Sequence, residues 1–189
     1  MKKIKIIMTF IIFILSFPIH FIYEKFPSFI TSILFPVNES IWEHMKIIYT
    51  AILISSVIEY LIYKIKKTNI NNFIINIPIT SILGIITYLI IYSIIDLFIP
   101  HNFIITLILL FITYALCEYI SYKIITSNII INQKQKGICL ILLSYIIFTH
   151  LTYYPPRITL FIDPINKSYG IPQKTLKKSF IYFPNKSFK

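Results

Sequence analysis

Residues 77–97 read IPITSILGIITYLIIYSIIDL, a run in which Asp96 is the only charged side chain. A transmembrane α-helix needs about 20 mostly apolar residues to cross the hydrocarbon core of a bilayer. Further segments share this character, and together they predict helices at residues 4–23, 47–63, 77–97, 103–122 and 138–154. The predicted fold is therefore an all-α integral membrane bundle of about five transmembrane helices.

The composition supports this prediction. Hydrophobic residues make up 57% of the chain and charged residues only 13%, with a mean hydropathy of +0.78. A soluble domain carries about 25% charged residues, so this chain lacks the polar surface of a soluble enzyme or a nucleic-acid-binding protein. Its net charge of +11 comes mainly from lysines at the ends of the apolar runs. That placement is typical of topology signals and of contact with anionic lipid headgroups. The expected partner is the lipid bilayer, with no nucleic acid.

The lysines also predict how the chain crosses the cell membrane. With the N-terminus in the cytoplasm, nine lysines near the span ends lie inside, and the short outer loops contain only Lys25 and Lys46. This arrangement obeys the positive-inside rule. Pro155 and Pro156 predict the end of the last helix. Residues 1–156 are then the membrane domain, and residues 157–189 form a basic extramembrane tail on the outer side.

The densest polar stretch is Pro36–Lys46, PVNESIWEHMK. On a helix, Glu39, Glu43 and Lys46 lie on one face at i, i+4 and i+7. Two carboxylates one turn apart can hold a divalent metal ion, with His44 and a histidine from another helix, His150, completing the site. Glu39, Glu43 and His44 can also act as catalytic acid–base groups, because neighbouring carboxylates push their pKa values apart.

A structural interpretation of the same stretch stays open. Ser40 and Glu43 have the spacing of a helix capping box, and Glu43 with Lys46 forms an ordinary i, i+3 pair. Trp42 would then anchor the helix at the membrane interface. Capping does not explain why Asn38, Glu39 and His44 occupy the same turn.

Carboxylates also lie within the spans, where an ionisable group is expensive and is a functional candidate by default. They are Asp96, Glu59 and Glu118, each with hydroxyl side chains four residues away. Glu59 begins the sequence EYLIYKI and Glu118 begins EYISYKI. This similarity indicates either a repeat of two helices or two unrelated groups of aromatic residues and lysines, of the kind found where helices leave the membrane. The three carboxylates form either a proton relay or hydrogen bonds between packed helices, and Lys64 and Lys123 can extend back to the two glutamates.

The histidines gather near the predicted outer face. They are His20, His44, His101 and His150, and Asp163 follows the last span on the same side. Histidines and carboxylates on one face suit a metal site or a proton-transfer site. Three functions therefore stay open: a small membrane enzyme or metal-binding protein, a proton- or ion-coupled transporter, and a structural or accessory subunit without catalysis.

The stretch PVNESIWEHMK resembles the signature PVNES-x-WEH-x-K of an uncharacterised family of small bacterial membrane proteins, a domain of unknown function. The sequences Tyr154-Pro155-Pro156 and Phe161-Ile162-Asp163-Pro164 resemble the closing segment of that family. The resemblance covers roughly residues 5–171. It implies a multi-pass architecture and shared polar positions at Asn38, Glu39, Trp42, Glu43, His44 and Asp163, and it implies no activity.

Overall fold

A computed structural model describes residues 1–99, 102–129 and 133–172 of the chain. The described residues form helices α1 (Lys2–Lys25), α2 (Phe29–Leu34), α3 (Ile41–Ile65), α4 (Phe73–Asp96), α5 (Phe103–Ile125) and α6 (Lys134–Tyr153). A single 3₁₀ turn follows at Thr159–Phe161. Within these ranges no strand forms, and the nearest feature is an isolated antiparallel bridge between Ile162 and Tyr169. The predicted all-α class is confirmed.

Five of the helices are long and apolar enough to cross a membrane: α1, α3, α4, α5 and α6. Their outward surfaces are compatible with lipid contact. On α1, for example, Ile6, Phe10 and Ile14 recur every four residues and are more than half exposed, whereas Met8 and Ile12 are fully buried. A helix that exposes large apolar side chains along one face needs an apolar solvent there. The chain is therefore a membrane-embedded helical protein.

Local sequence sets the ends of the helices that carry the candidate site. Helix α3 begins at Ile41, directly after Ser40, whose hydroxyl accepts a hydrogen bond from the Glu43 amide at 3.2 Å. This is the first half of the predicted capping box. Helix α6 ends at Tyr153, because the residue before a proline resists the α region and Pro155 follows closely.

The described chain divides into two compact units. The first unit contains Met1–Phe17 and Ile48–Ser144, and its helices α4 and α5 pack directly on each other. The second contains Pro18–Ile47 and the chain from Tyr145 onward. In the second unit the segment after α6 is packed and not extended, with Phe161 and Asp163 buried. The predicted division into a membrane domain and a tail at residue 157 stays a prediction.

Candidate metal site and buried ion pairs

Three side chains of the second unit converge: His20, Glu39 and His44. One ligand atom from each lies within 4.8 Å of the other two, and all three side chains are partly buried. His20 Nε2 is 3.4 Å from Glu39 Oε1, and His44 Nε2 is 3.6 Å from Glu39 Oε2. The two imidazole rings lie 5.1 Å apart between centroids. The carboxylate therefore lies between two histidine nitrogens.

The short helix α2, which lies between the long helices α1 and α3, brings these three residues together. His20 lies on α1 and His44 in the first turn of α3, while Glu39 belongs to the linker before α3. Between them α2 begins at a capping box, in which Ser28 and Thr31 exchange side-chain and backbone hydrogen bonds. Such a box fixes the direction in which the chain enters a helix. The six-residue helix thus returns the chain towards α1.

The hydrogen bond of His44 fixes the tautomer of its ring. His44 Nδ1 is 2.8 Å from the carbonyl oxygen of Ser40, which can only accept. Nδ1 must therefore carry the hydrogen, and the neutral ring turns the lone pair of Nε2 towards Glu39. Two acceptors then face each other, and they need a proton or a metal ion between them. A backbone carbonyl bound to the second ring nitrogen is the usual way in which proteins orient a metal-binding histidine.

Glu39 is held in its ionised form. The hydrogen bond that the His20 imidazole donates lowers the pKa of the Glu39 carboxyl below its ordinary value. Partial burial and the charge of Asp163 oppose the shift without cancelling it. An ionised carboxylate beside two imidazoles is the protonation state that a metal ion requires.

The geometry of the group fits a divalent transition metal. Zinc takes imidazole nitrogen and carboxylate oxygen at about 2.0–2.2 Å, so two ligands of one ion lie no more than about 4.4 Å apart. The three side chains are close to that spacing. Two histidines and one carboxylate with an open fourth position are a ligand set of catalytic zinc sites.

Glu43 occupies a different environment from Glu39. Its side chain is 2% exposed and forms an ion pair with the fully buried Lys46 at 2.8 Å. The carboxylate also accepts hydrogen bonds from the Val37 amide at 3.0 Å and from the Thr152 hydroxyl at 2.7 Å. Lys46 in turn donates to the carbonyl oxygen of Ser32 at 2.8 Å. Every one of these partners comes from a different segment, so the pair joins α2, the linker, α3 and α6.

Asn38 and Asp163 also build loops of the second unit. Asn38 accepts from the Ser40 amide and donates to the carbonyl oxygen of Gly170, both at 2.8 Å. Asp163 is fully buried and accepts from the Ile165 amide at 2.9 Å and from the Asn166 side chain at 2.8 Å. These bonds hold the linker before α3 and the loop after α6 in fixed conformations.

Two further predicted residues lie outside the His20–Glu39–His44 group. Trp42 stacks on Phe161 with ring centroids 5.0 Å apart, and it also contacts Phe148. His150 is exposed and packs against the ring of Tyr154, so it does not join the group. Its predicted role as a metal ligand, like that of Glu43, has no support from the geometry. His101 lies outside the described residues.

The first unit contains a second cluster, formed by Glu59 and Glu118. Lys5 Nζ lies 2.6 Å from Glu59 Oε1 and 3.0 Å from Glu118 Oε2, and all three side chains are buried. Lys5, one of the lysines expected to mark the inner membrane surface, is thus their partner. Lys64 and Lys123 are exposed, and Lys123 lies over the ring of Tyr119. Asp96 is exposed at the end of α4.

The convergence of His20 and Lys5 on carboxylates was not apparent in the sequence. His20 is separated from Glu39 by a whole short helix, and Lys5 resembles the other lysines at its end of the chain. The sequence did contain one indication of the role of Lys5. Two carboxylates within predicted spans need a buried cation nearby, and a lysine near a span end can provide it.

The chain belongs to a family of unknown function (DUF6512), whose family model matches residues 1–171. No match was found among curated proteins or among solved structures.

Proposed function

We propose that this member of the DUF6512 family is a membrane protein that binds a divalent transition-metal ion through His20, Glu39 and His44. One observation carries the proposal: the Ser40 carbonyl oxygen holds the hydrogen of His44 on Nδ1, so that Nε2 and a Glu39 oxygen face each other as acceptors 3.6 Å apart. A metal ion between them removes this repulsion. A carboxylate that only accepts hydrogen bonds from two rings would require His44 to be protonated.

The donor atoms favour zinc over calcium or magnesium. Imidazole nitrogen suits zinc and other transition metals, whereas calcium and magnesium prefer sites made entirely of oxygen. With three protein ligands, a bound zinc ion keeps one position for water and acts as a Lewis acid. Glu39, which keeps its charge, offsets the charge of the ion, and the Ser40 carbonyl oxygen orients His44.

The position of the site within the cell membrane is part of the proposal. The lysine distribution supports a cytoplasmic N-terminus, which puts the linker between α1 and α3 at the outer face. Metal binding and any hydrolysis by a metal-bound water would then take place on that side, with the C-terminal residues on the same side.

The test is the metal content of the full-length protein purified in detergent, measured by mass spectrometry after loading with zinc and removal of free metal. We expect one zinc per chain in the wild type and a large loss in H20A, E39Q and H44A. The matched control is H150A, because His150 is a histidine outside the group and its removal should leave the zinc content unchanged.

The opposite outcome is equally informative. If the wild type binds no zinc, or if H150A loses as much as H44A, the proposed site is wrong. The transporter and the accessory subunit then remain the candidates. If E39Q and H44A also unfold at a lower temperature without any effect of zinc, the group is a packing device.

A further inference from the structure

Two carboxylates of the first unit meet at a single lysine. Lys5 from α1 forms ion pairs with Glu59 from α3 at 2.6 Å and with Glu118 from α5 at 3.0 Å. The exposed fractions of the three residues are 4%, 3% and 5%. All three helices are long and apolar enough to cross a membrane. We call Lys5, Glu59 and Glu118 the buried triad.

The charges of the buried triad do not balance when all three groups are ionised. Two carboxylates and one ammonium leave a net charge of −1. The neighbouring side chains are Tyr63, Asn76, Cys117 and Ser121, none of which carries a charge. Among the described residues, Lys5 is the only cation within ion-pair distance of either carboxylate. An unbalanced charge within a membrane is expensive, so the site favours taking up one positive charge.

The hydrogen bonds around the triad also indicate that the site lacks one hydrogen-bond donor. Lys5 donates a hydrogen bond to the Ser121 hydroxyl, whereas Glu59 Oε1 and Glu118 Oε2 are buried within ion-pair distance of Lys5 but have no hydrogen-bond partner among the described residues. Ser121 accepts a second hydrogen bond from Asn76 Nδ2 at 2.8 Å. The Oδ1 atom of Asn76 is buried and has no hydrogen-bond partner among the described residues. A buried acceptor without a donor calls for a ligand that brings a hydrogen.

A cavity of about 680 Å³ reaches the neighbourhood of the triad. Tyr63 lines this cavity, is itself almost fully buried, and lies one helical turn after Glu59 on α3. The wall also contains the polar side chains of Lys64, Asn72 and Lys134. A partly open cavity of this size that has polar groups in its wall accommodates water. None of the three triad residues lines this cavity, so it brings water to within one helical turn of Glu59, at Tyr63.

We infer that Lys5, Glu59 and Glu118 form a proton-binding site, in which the two carboxylates share one exchangeable proton. In the loaded state one carboxylate is a neutral carboxylic acid and the other balances Lys5, so the triad has no net charge. When the proton leaves to water in the cavity, the triad has a charge of −1. The inference is independent of the proposed metal site, because it uses none of the same residues.

The experiment is infrared spectroscopy of the full-length protein in lipid nanodiscs, with isotope-labelled glutamate and a pH titration. A protonated glutamic acid has a carbonyl stretch that ionised glutamates lack. We expect the wild type to show about one such acid per chain near neutral pH, lost as the pH rises. Both E59Q and E118Q should lose the band, because the remaining carboxylate is balanced by Lys5.

Two further variants make the test specific. K5Q removes the cation, so both carboxylates should hold protons and the band should roughly double. E24Q is the matched control, since Glu24 is an exposed glutamate of α1 and its removal should leave the band unchanged. The proposal is overturned if the wild type has no such band at any pH above 5, or if the band survives in both E59Q and E118Q. Since the wild-type titration alone can overturn it, a variant that fails to fold does not decide the result.

Discussion

The carbonyl oxygen of Ser40 lies 2.8 Å from Nδ1 of His44, and Ser40 also provides the hydroxyl that caps α3. One residue thus sets the start of a helix and the direction in which a histidine nitrogen points. Because the helix keeps this carbonyl oxygen in place, the orientation of His44 does not depend on the presence of a ligand. Pre-organisation of this kind lowers the entropy lost on binding.

Zinc binding should depend on pH in a defined direction. Metal ions bind unprotonated imidazole, so zinc affinity should be lower at pH 5 than at pH 8, because protons then compete for the ring nitrogens. The pKa of Glu39 is lowered from its ordinary value of 4.5, so its carboxylate stays ionised over this whole interval and contributes no titration there. Calorimetry with zinc at several pH values measures the slope. A constant affinity from pH 8 to pH 5 would contradict the use of histidine ligands.

Glu43 should matter for stability and not for metal content. E43Q leaves Lys46 buried without a counter-charge, and breaking a buried ion pair costs about 3–5 kcal/mol. We expect a large loss of unfolding free energy in mixed micelles, whereas folded E43Q still binds one zinc. The double variant E43Q/K46M removes both charges and should recover part of the loss. If the loss of unfolding free energy in the double variant equalled the sum of the losses in K46M and E43Q, the two side chains would not be coupled.

At the residue scale, the sequence predicted which residues were important more reliably than it predicted their roles. The dense polar turn at Asn38–His44 was visible, and so were Glu59 and Glu118. The partners His20 and Lys5 were not, because each reaches its carboxylate only through the tertiary fold. A histidine or lysine near a span end has the same local sequence whether it faces a headgroup or a buried carboxylate.

The helices as elements were predictable for a simple reason. A segment that crosses a bilayer must be mostly apolar over about 20 residues, so mean hydropathy locates it even when it contains one or two buried charges. Helix starts were predictable only where a capping pattern marks them: the spacing of Ser40 and Glu43 indicated the start of α3 at Ile41, whereas α4 begins at Phe73, and both starts lie before the predicted apolar runs. These extra turns contain polar residues such as Glu43 and Asn76, which are buried by tertiary contacts.

Helices α4 and α5 pack closely at Gly84, and this contact can be tested. A Cβ atom at Gly84 would lie 2.6 Å from the sulfur of Cys117 and 3.4 Å from a methyl group of Ile48. Overpacking a close contact costs about 1–3 kcal/mol, so G84A should lower the unfolding free energy by that amount. The double variant G84A/C117A removes the sulfur and should be more stable than the sum of the single changes predicts. If the stability losses of G84A and C117A simply add, the contact with the Cys117 sulfur is not the reason why G84A is destabilised.

For the whole molecule, the predicted orientation gives a labelling pattern. In a background without cysteines (C117A/C139A), K25C at the end of α1 and K66C directly after α3 place one thiol at each of two exposed positions on opposite sides of the predicted membrane. A maleimide that cannot cross membranes should label K25C in intact cells and K66C only after lysis. Each substitution removes one lysine, so the two variants have the same net charge and differ only in the position of the thiol. Labelling of K66C alone in intact cells would reverse the orientation.

The loop at Gly170 also affects the order in which the protein matures. Gly170 has a backbone φ of +66°, and a Cβ atom there would lie 2.8 Å from the carbonyl oxygen of Thr152. Its own carbonyl oxygen accepts from Asn38, and Thr152 donates to Glu43, so the turn that contains Glu39 and His44 is completed by residues that follow it by more than 100 positions in the chain. During synthesis the acceptor of the Asn38 side chain is made 132 residues after Asn38 itself. A chain that stops before residue 170 therefore leaves the Asn38 amide, on the turn that carries the candidate metal ligands, without this acceptor.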